Sequence, residues 1–348
     1  MTPHAGPIVI YVATAAIAAI VTIWATPLVV RLANRLGIVD VHGEERRMHD
    51  MPKPRVGGIA VFFGFSFALF AVLGVSMTSP RMLLPAADQF DAVHRLVGLL
   101  FGSLLIVGVG VWDDVMQMRP RNKLVAQIVV ALISMLYGFI ITGITNPFDH
   151  NPATNWIDLP LWAGIPLTLL WYVGMMNAIN FLDGLDGLLS GVTAISGVFL
   201  FAIALLHANA VVALVVVALA GAALGFLPYN FNPARIILGD AGSLFIGYVF
   251  ATVSIIGESK TAIAISVVVP LLVLALPVLD TAAAIVRRAS SGKRITEADR
   301  GHFHHQLIFR FGLNVRQAVL LLYAVCFFLG AVALAFSGEF THIFRHAT

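Results

Sequence analysis

The chain has 348 residues, of which 59% are hydrophobic and only 11% charged, against about 25% charged in an average soluble domain. With a mean hydropathy of +0.93 and apolar residues spread along the whole length, this excludes an ordinary soluble protein and predicts one integral-membrane domain over residues 1–348. The net charge of +3 is too small to imply a nucleic-acid partner, and the single cysteine, Cys326, excludes an intrachain disulfide and reads as a small apolar residue in a late span.

Taken in chain order, the opening "MTPHAGPIVIYV" lacks the basic start and small-residue cleavage site of a signal peptide, so the first apolar run is expected to stay as an uncleaved span. At about 20 apolar residues per crossing, spans fall near 8–30, 56–77, 94–112, 124–143, 160–176, 187–206, 209–228, 239–257, 262–286 and 316–336. The fold class is therefore all-α and polytopic, with ten transmembrane helices expected. Of the 21 basic residues, 17 lie in the loops after spans 1, 3, 5, 7 and 9. Positive charge is retained on the cytoplasmic side, so these loops are expected to face the cytoplasm and both termini to face outward. Trp156 and Trp162 then suit the outer interfacial belt.

The same assignment sorts the acids. The first cytoplasmic loop, "RRMHDMPKPRVGG", brings His49, Lys53 and Arg55, stiffened by Pro52 and Pro54. "DDVMQMRPRNK" sets Asp113 and Asp114 nine and ten residues before Lys123. "NAINFLDGLDG" carries Asn180, Asp183 and Asp186 every third residue, which keeps them on one broad face if the helix is unbroken. "LGDAGSLF" puts Asp240 at the start of a span, with Gly239, Gly242 and Ser243 leaving room and free N–H groups where an anion binds well. Carboxylates from three separate segments thus gather on one membrane face, where ionisable groups are costly unless paired or wetted and mark a functional site. Oxygen donors of this kind suit a hard divalent cation, Mg²⁺ above all with Mn²⁺ as the alternative, sharing its shell with water and phosphate.

The last cytoplasmic loop, "KRITEADRGHFHHQLIFRFGL", reads as a short surface helix with Thr296 and Asp299 as a capping box and Gly312 as a stop. It presents His302, His304 and His305 beside Arg300 and Arg310, a set suited to a diphosphate. Zinc is the rival ligand, but thiolate partners are lacking and the acids favour a harder metal. From this loop alone, a solvated basic loop holding anionic lipid headgroups is an equal reading.

In their order and on one face, "RRMHDMPKPRVGG", "VWDD", "NAINFLDGLDGL", "PYNFNPARIILGDAGSLF" and "HFHHQL" resemble the polyprenyl-phosphate N-acetylhexosamine-1-phosphate transferases, which include the phospho-N-acetylmuramoyl-pentapeptide transferases. The resemblance covers nearly the whole chain. It implies transfer of a sugar 1-phosphate from a UDP-sugar to undecaprenyl phosphate in the bacterial inner membrane, with release of UMP, as the first membrane step of a cell-envelope polysaccharide pathway such as lipopolysaccharide or cell-wall assembly. It further implies Asp240 as the principal magnesium ligand with Asn180 as a second contact, and Asp113 as the acid that activates the lipid phosphate, with Asp114 beside it. Asp183 and Asp186 would line the nucleotide side of the cleft, and Asn230 would meet the uridine. The "HFHH" form resembles the N-acetylglucosamine branch. His49, Lys53, Arg55, Lys123 and Arg300 complete the expected substrate contacts, direct and covalent mechanisms both stay open, and a homodimer is an allowed assembly. The alternative is a cation-coupled secondary transporter built on the same acids; a lipid-binding scaffold would explain the basic loops but not the acids.

The loops 31–55, 113–123 and 287–316, which hold 16 of the 21 basic residues, are expected to be cytoplasmic. Single-cysteine substitutions in them should resist an impermeant thiol reagent added to intact cells and react after permeabilisation; labelling of 287–316 from outside would reverse the topology.

Overall fold

The structure, a computed structural model, describes residues 8–40, 53–78, 89–145, 156–256 and 312–345. Nine helices run through the described residues: α1 (Ile8–Leu36), α2 (Gly58–Thr78), α3 (Gln89–Met116), α4 (Pro120–Leu136), α5 (Leu161–Leu182), α6 (Leu188–Leu206), α7 (Ala210–Asn230), α8 (Gly239–Ile256) and α9 (Val315–Arg345). Each coincides with an expected span. The expected span at 262–286 and the surface helix expected around His302 to His305 lie outside the described residues.

Eight of these helices have the length and hydropathy to cross a bilayer. The other, α4, has 17 residues and is about 26 Å long at 1.5 Å per residue. It stops short of the expected 143 because Gly138 takes φ +84° just beyond the Tyr137 cap, the left-handed turn that ends a helix and that glycine adopts without cost. The freed chain forms a small antiparallel hairpin, β3 (Gly143–Thr145) with β4 (Trp156–Asp158), which hydropathy alone did not predict. A second two-residue pair, β1 (Val39–Asp40) with β2 (Lys53–Pro54), lies at the other end of the bundle.

The helix α8 is the axis. Sixteen of its residues are buried, and α2, α3, α5 and α7 pack around it. With no gain from moving apolar surface between lipid and protein, such packing depends on close backbone approach through small residues. A Cβ on Gly58 of α2 would overlap the Gly242 backbone, and one on Gly110 of α3 would overlap the backbone of Ala241. Further out, α7 packs on α1 and α6, and α9 packs on α6. Two of the polar side chains inside the bundle, Thr22 and Thr26, each donate to the carbonyl four residues back. Large apolar residues such as Trp24, Phe67 and Leu136 point outward, as lipid-facing residues do.

Gly110→Ala should lower stability by about 1–3 kcal/mol, because backbone atoms of α8 cannot rotate away as a side chain could. In the same helix Gly108 has open space where a Cβ would lie, so Gly108→Ala should be neutral or stabilising by less than about 1 kcal/mol. Thermal unfolding of the two variants in detergent measures the difference.

Candidate active site

At one end of the bundle, α3, α5 and α8 each deliver a carboxylate and α4 an ammonium group. The chain turns tightly after α3, and Asp113 Oδ1 accepts the Met118 N–H at 2.7 Å, which closes that turn. Asp113 Oδ2 lies 2.8 Å from Lys123 Nζ, and the same ammonium lies 3.0 Å from Asp240 Oδ1. Lys123 is therefore held between two carboxylates that are far apart in sequence. Asn180, near the end of α5, donates its Nδ2 to Asp240 Oδ1 and, at 2.7 Å, to Ser243 Oγ.

Asp114 has a different task from its neighbour. Its two oxygens accept the backbone N–H groups of Asp240 at 2.9 Å and Ala241 at 3.0 Å. The unsatisfied donors at the start of α8 are thus filled by an acid from α3, an N-cap supplied from another helix. The expectation that these N–H groups stand free for a substrate anion is corrected by this contact. Gly239 makes it possible: it has φ +70°, and a Cβ there would overlap the Arg55 carbonyl and crowd the Asp114 carboxylate.

The acidic triplet does not share an unbroken helical face. The helix α5 ends at Leu182, Asp183 is its C-cap, and α6 starts at Leu188. The break sends Asp183 and Asp186 to different neighbours. Asp186 Oδ2 pairs with Lys53 Nζ at 3.1 Å and accepts from Ala234 N at 3.0 Å and Asn232 Nδ2 at 3.3 Å. It locks the loop after α7 to β2. The loop is also stitched through the backbone, from Ile237 N to Pro54 O and from Gly58 N to Leu238 O. Asp183 is half-buried near Asp240. Burial first, then the negative charge of Asp240, push its carboxyl up to about 7, against the opposing pull of Arg55 and the Gly239 N–H.

Other expected contacts resolve differently. Asn230 is buried with both ends of its amide engaged, accepting from Ser190 Oγ at 2.7 Å and donating to Ile236 O at 3.0 Å, so it braces the loop that carries Asp240. Asn180 bridges Asp240 and Ser243 and so helps to orient the Asp240 carboxylate. His49, Arg300, His302, His304 and His305 lie outside the described residues. Reading by motif missed Ser190, Asn232 and the Ala234 amide, whose only signal was their place inside "PYNFNPAR" and beside "DGLLSG". Among the described residues, no three acids or histidines already sit at ligand distances around one point.

Residues 96–258 match glycosyl transferase family 4. The chain is 35% identical over 309 residues to a protein of Bacillus subtilis named probable undecaprenyl-phosphate N-acetylglucosaminyl 1-phosphate transferase, covering 89% of this chain and 80% of that one. The chain belongs to glycosyl transferase family 4. A Mycobacterium tuberculosis decaprenyl-phosphate N-acetylglucosaminephosphotransferase is likewise 35% identical to this family 4 chain, over 88% of it and 77% of the relative. A Staphylococcus aureus phospho-N-acetylmuramoyl-pentapeptide-transferase is 27% identical over 92% and 97%. The resemblance read from the ordered motifs is borne out, and nothing supports a transporter.

The Asp183 shift has a consequence for stability. A carboxyl whose folded pKa lies above its unfolded value binds its proton more tightly when folded, so its contribution is present at low pH and is lost as pH rises from about 4 to about 7. Asp183→Asn should therefore leave the unfolding temperature unchanged near pH 4 and raise it relative to the parent at pH 8, measured with chelator present. An equal shift at both pH values would remove the carboxyl as the cause.

Proposed function

We propose that the chain transfers N-acetylglucosamine 1-phosphate from UDP-N-acetylglucosamine to undecaprenyl phosphate at the cytoplasmic face of a bacterial inner membrane, releasing UMP and leaving a lipid diphosphate sugar. The observation that carries this is the convergence of Asp113, Asp183 and Asp240 with Lys123 at one end of an apolar bundle, from segments 113–240 of the chain. The acceptor cannot leave the bilayer and the donor cannot enter it. Groups that act on both must stand where the two phases meet.

The donor set suits Mg²⁺. Asp113 and Asp240 share the one Lys123 ammonium group, and near Asp240 stands Asp183, whose carboxyl is pushed up by burial first and then by the charge of Asp240. Asp240 and Asp183 are the residues that would hold the ion, with water and phosphate oxygens completing a shell that needs only one or two carboxylates. When bound, the ion offsets charge on the donor diphosphate and polarises the phosphorus that carries the sugar.

The chain's own groups do the rest. Lys123, pinned between Asp113 and Asp240, is drawn to the incoming diphosphate and neutralises oxygen charge there. Its departure uncovers Asp113, which then orients the acceptor phosphate or takes its remaining proton. An acceptor oxygen forms the new P–O bond to the sugar-bearing phosphorus as the bond to UMP breaks. Asp114 holds the start of α8 still through these steps, and Asp186 with Lys53 keeps the neighbouring loop in place.

Purified protein supplied with UDP-N-acetylglucosamine, polyprenyl phosphate and Mg²⁺ should release UMP only when all three are present. Asp240→Asn should lower turnover by about 100-fold or more, the scale of losing one preorganised electrostatic contact to a transition state, while keeping the fold. UMP release without polyprenyl phosphate, or near-parental turnover of Asp240→Asn at low Mg²⁺, would overturn this reading.

A further inference from the structure

One helical turn further into the bundle than Lys123 and Asn180 lies a second polar pair that no step above uses. Gln127 follows Lys123 by four residues on α4, and Asn177 precedes Asn180 by three on α5, so each sits beneath its partner on one helix face. The two helices run in opposite directions at this point, and both steps lead away from Asp240. Asn177 Nδ2 donates to Gln127 Oε1 at 2.9 Å, and its second hydrogen goes to Val173 O at 2.8 Å.

Gln127 is 1% exposed, and its Nε2 has no hydrogen-bond partner among the described residues. Burying an unpaired amide N–H is costly, whereas a leucine of similar volume would seal the same stripe of α4 without that burden. The gain from the amide is the bond to Asn177. That bond is a direct polar link between α4, which brings Lys123, and α5, which brings Asn180, and both residues close on Asp240 Oδ1. A second polar link from α4 lies about two turns deeper, between Ser134 Oγ and Tyr248 OH of α8 at 2.9 Å. It secures α4 to α8 far from the carboxylates.

We infer that Gln127 and Asn177 are positioning residues for the transfer reaction: their interhelical hydrogen bond sets the spacing of Lys123 and Asn180 about Asp240. The kinetic side of this inference rests on the transferase reading above; the geometric side does not. With the bond lost, the bundle stays assembled through α8, but the ammonium group is no longer held between its two carboxylates.

The test uses the full chain with Gln127→Leu, the exchanged pair Gln127→Asn with Asn177→Gln, and Ser134→Ala. Acylation of Lys123 by a water-soluble amine reagent is read by peptide mass spectrometry against Lys53 in the same molecule. In Gln127→Leu the Lys123 to Lys53 ratio should rise about threefold to tenfold, the range for one interhelical hydrogen bond in a membrane bundle. Turnover should fall about tenfold or more with donor KM within about twofold of the parent. The exchanged pair should return both toward parental values, and Ser134→Ala should move neither. A parental labelling ratio in Gln127→Leu overturns the inference, as does failure of the exchanged pair to recover. An equal change in Ser134→Ala would reduce the pair to general packing. A parental protein without transferase activity would count against the proposed reaction alone, since the labelling ratio still decides the positioning.

Discussion

The carboxylate of Asp114 on the first N–H groups of α8 is the contact on which the rest of the site depends. Two hydrogen bonds, from the Asp240 and Ala241 amides to the Asp114 carboxyl group, join the C-terminal end of α3 to the N-terminal end of the central helix. The contact fixes where Asp240 begins. It also commits the first two donors of α8 to an internal carboxyl group, so negative charge on a substrate falls to other groups. Lys123 is already beside Asp113 and Asp240, and Arg55 exerts its pull on Asp183.

Around this contact the fold separates two tasks that one motif carries together. In "NAINFLDGLDG", Asn180 and Asp183 face the carboxylate cluster, whereas Asp186 turns to Lys53, Asn232 and the Ala234 amide and holds a loop. The helix break between Leu182 and Leu188 is the cause. Residues three apart diverge as soon as the helix that would align them ends. Adjacent acids divide as well: Asp113 pairs with Lys123, and Asp114 caps α8.

Placement at the bundle end follows from what the bundle can tolerate. Deeper along α4, α5 and α8 the polar side chains become neutral and pair with one another: Gln127 with Asn177, Ser134 with Tyr248, and Tyr172 with Thr252 at 2.9 Å. Charges would have no such partners in that apolar setting and would be far more costly. Among the described residues the charged cluster stays at the helix ends, while the amides just below it keep those ends in register.

Hydropathy and motif order were enough to establish an all-α membrane protein, nine of its helices and the family, and they named the acids and bases of the candidate site. These are local properties: an apolar run of about 20 residues spans lipid whatever its neighbours are, and a motif is read from its own residues. Only the tertiary structure decided which of five aspartates face one another and which serve as caps or ties. Those roles turn on contacts across 126 residues for Asp114 with Asp240 and 133 for Lys53 with Asp186, and on glycines whose missing Cβ lets helices close to backbone distance. Asn230 and Gln127 show the limit most clearly. An amide reads alike in any sequence, and what it does is set by the partner that packing brings to it.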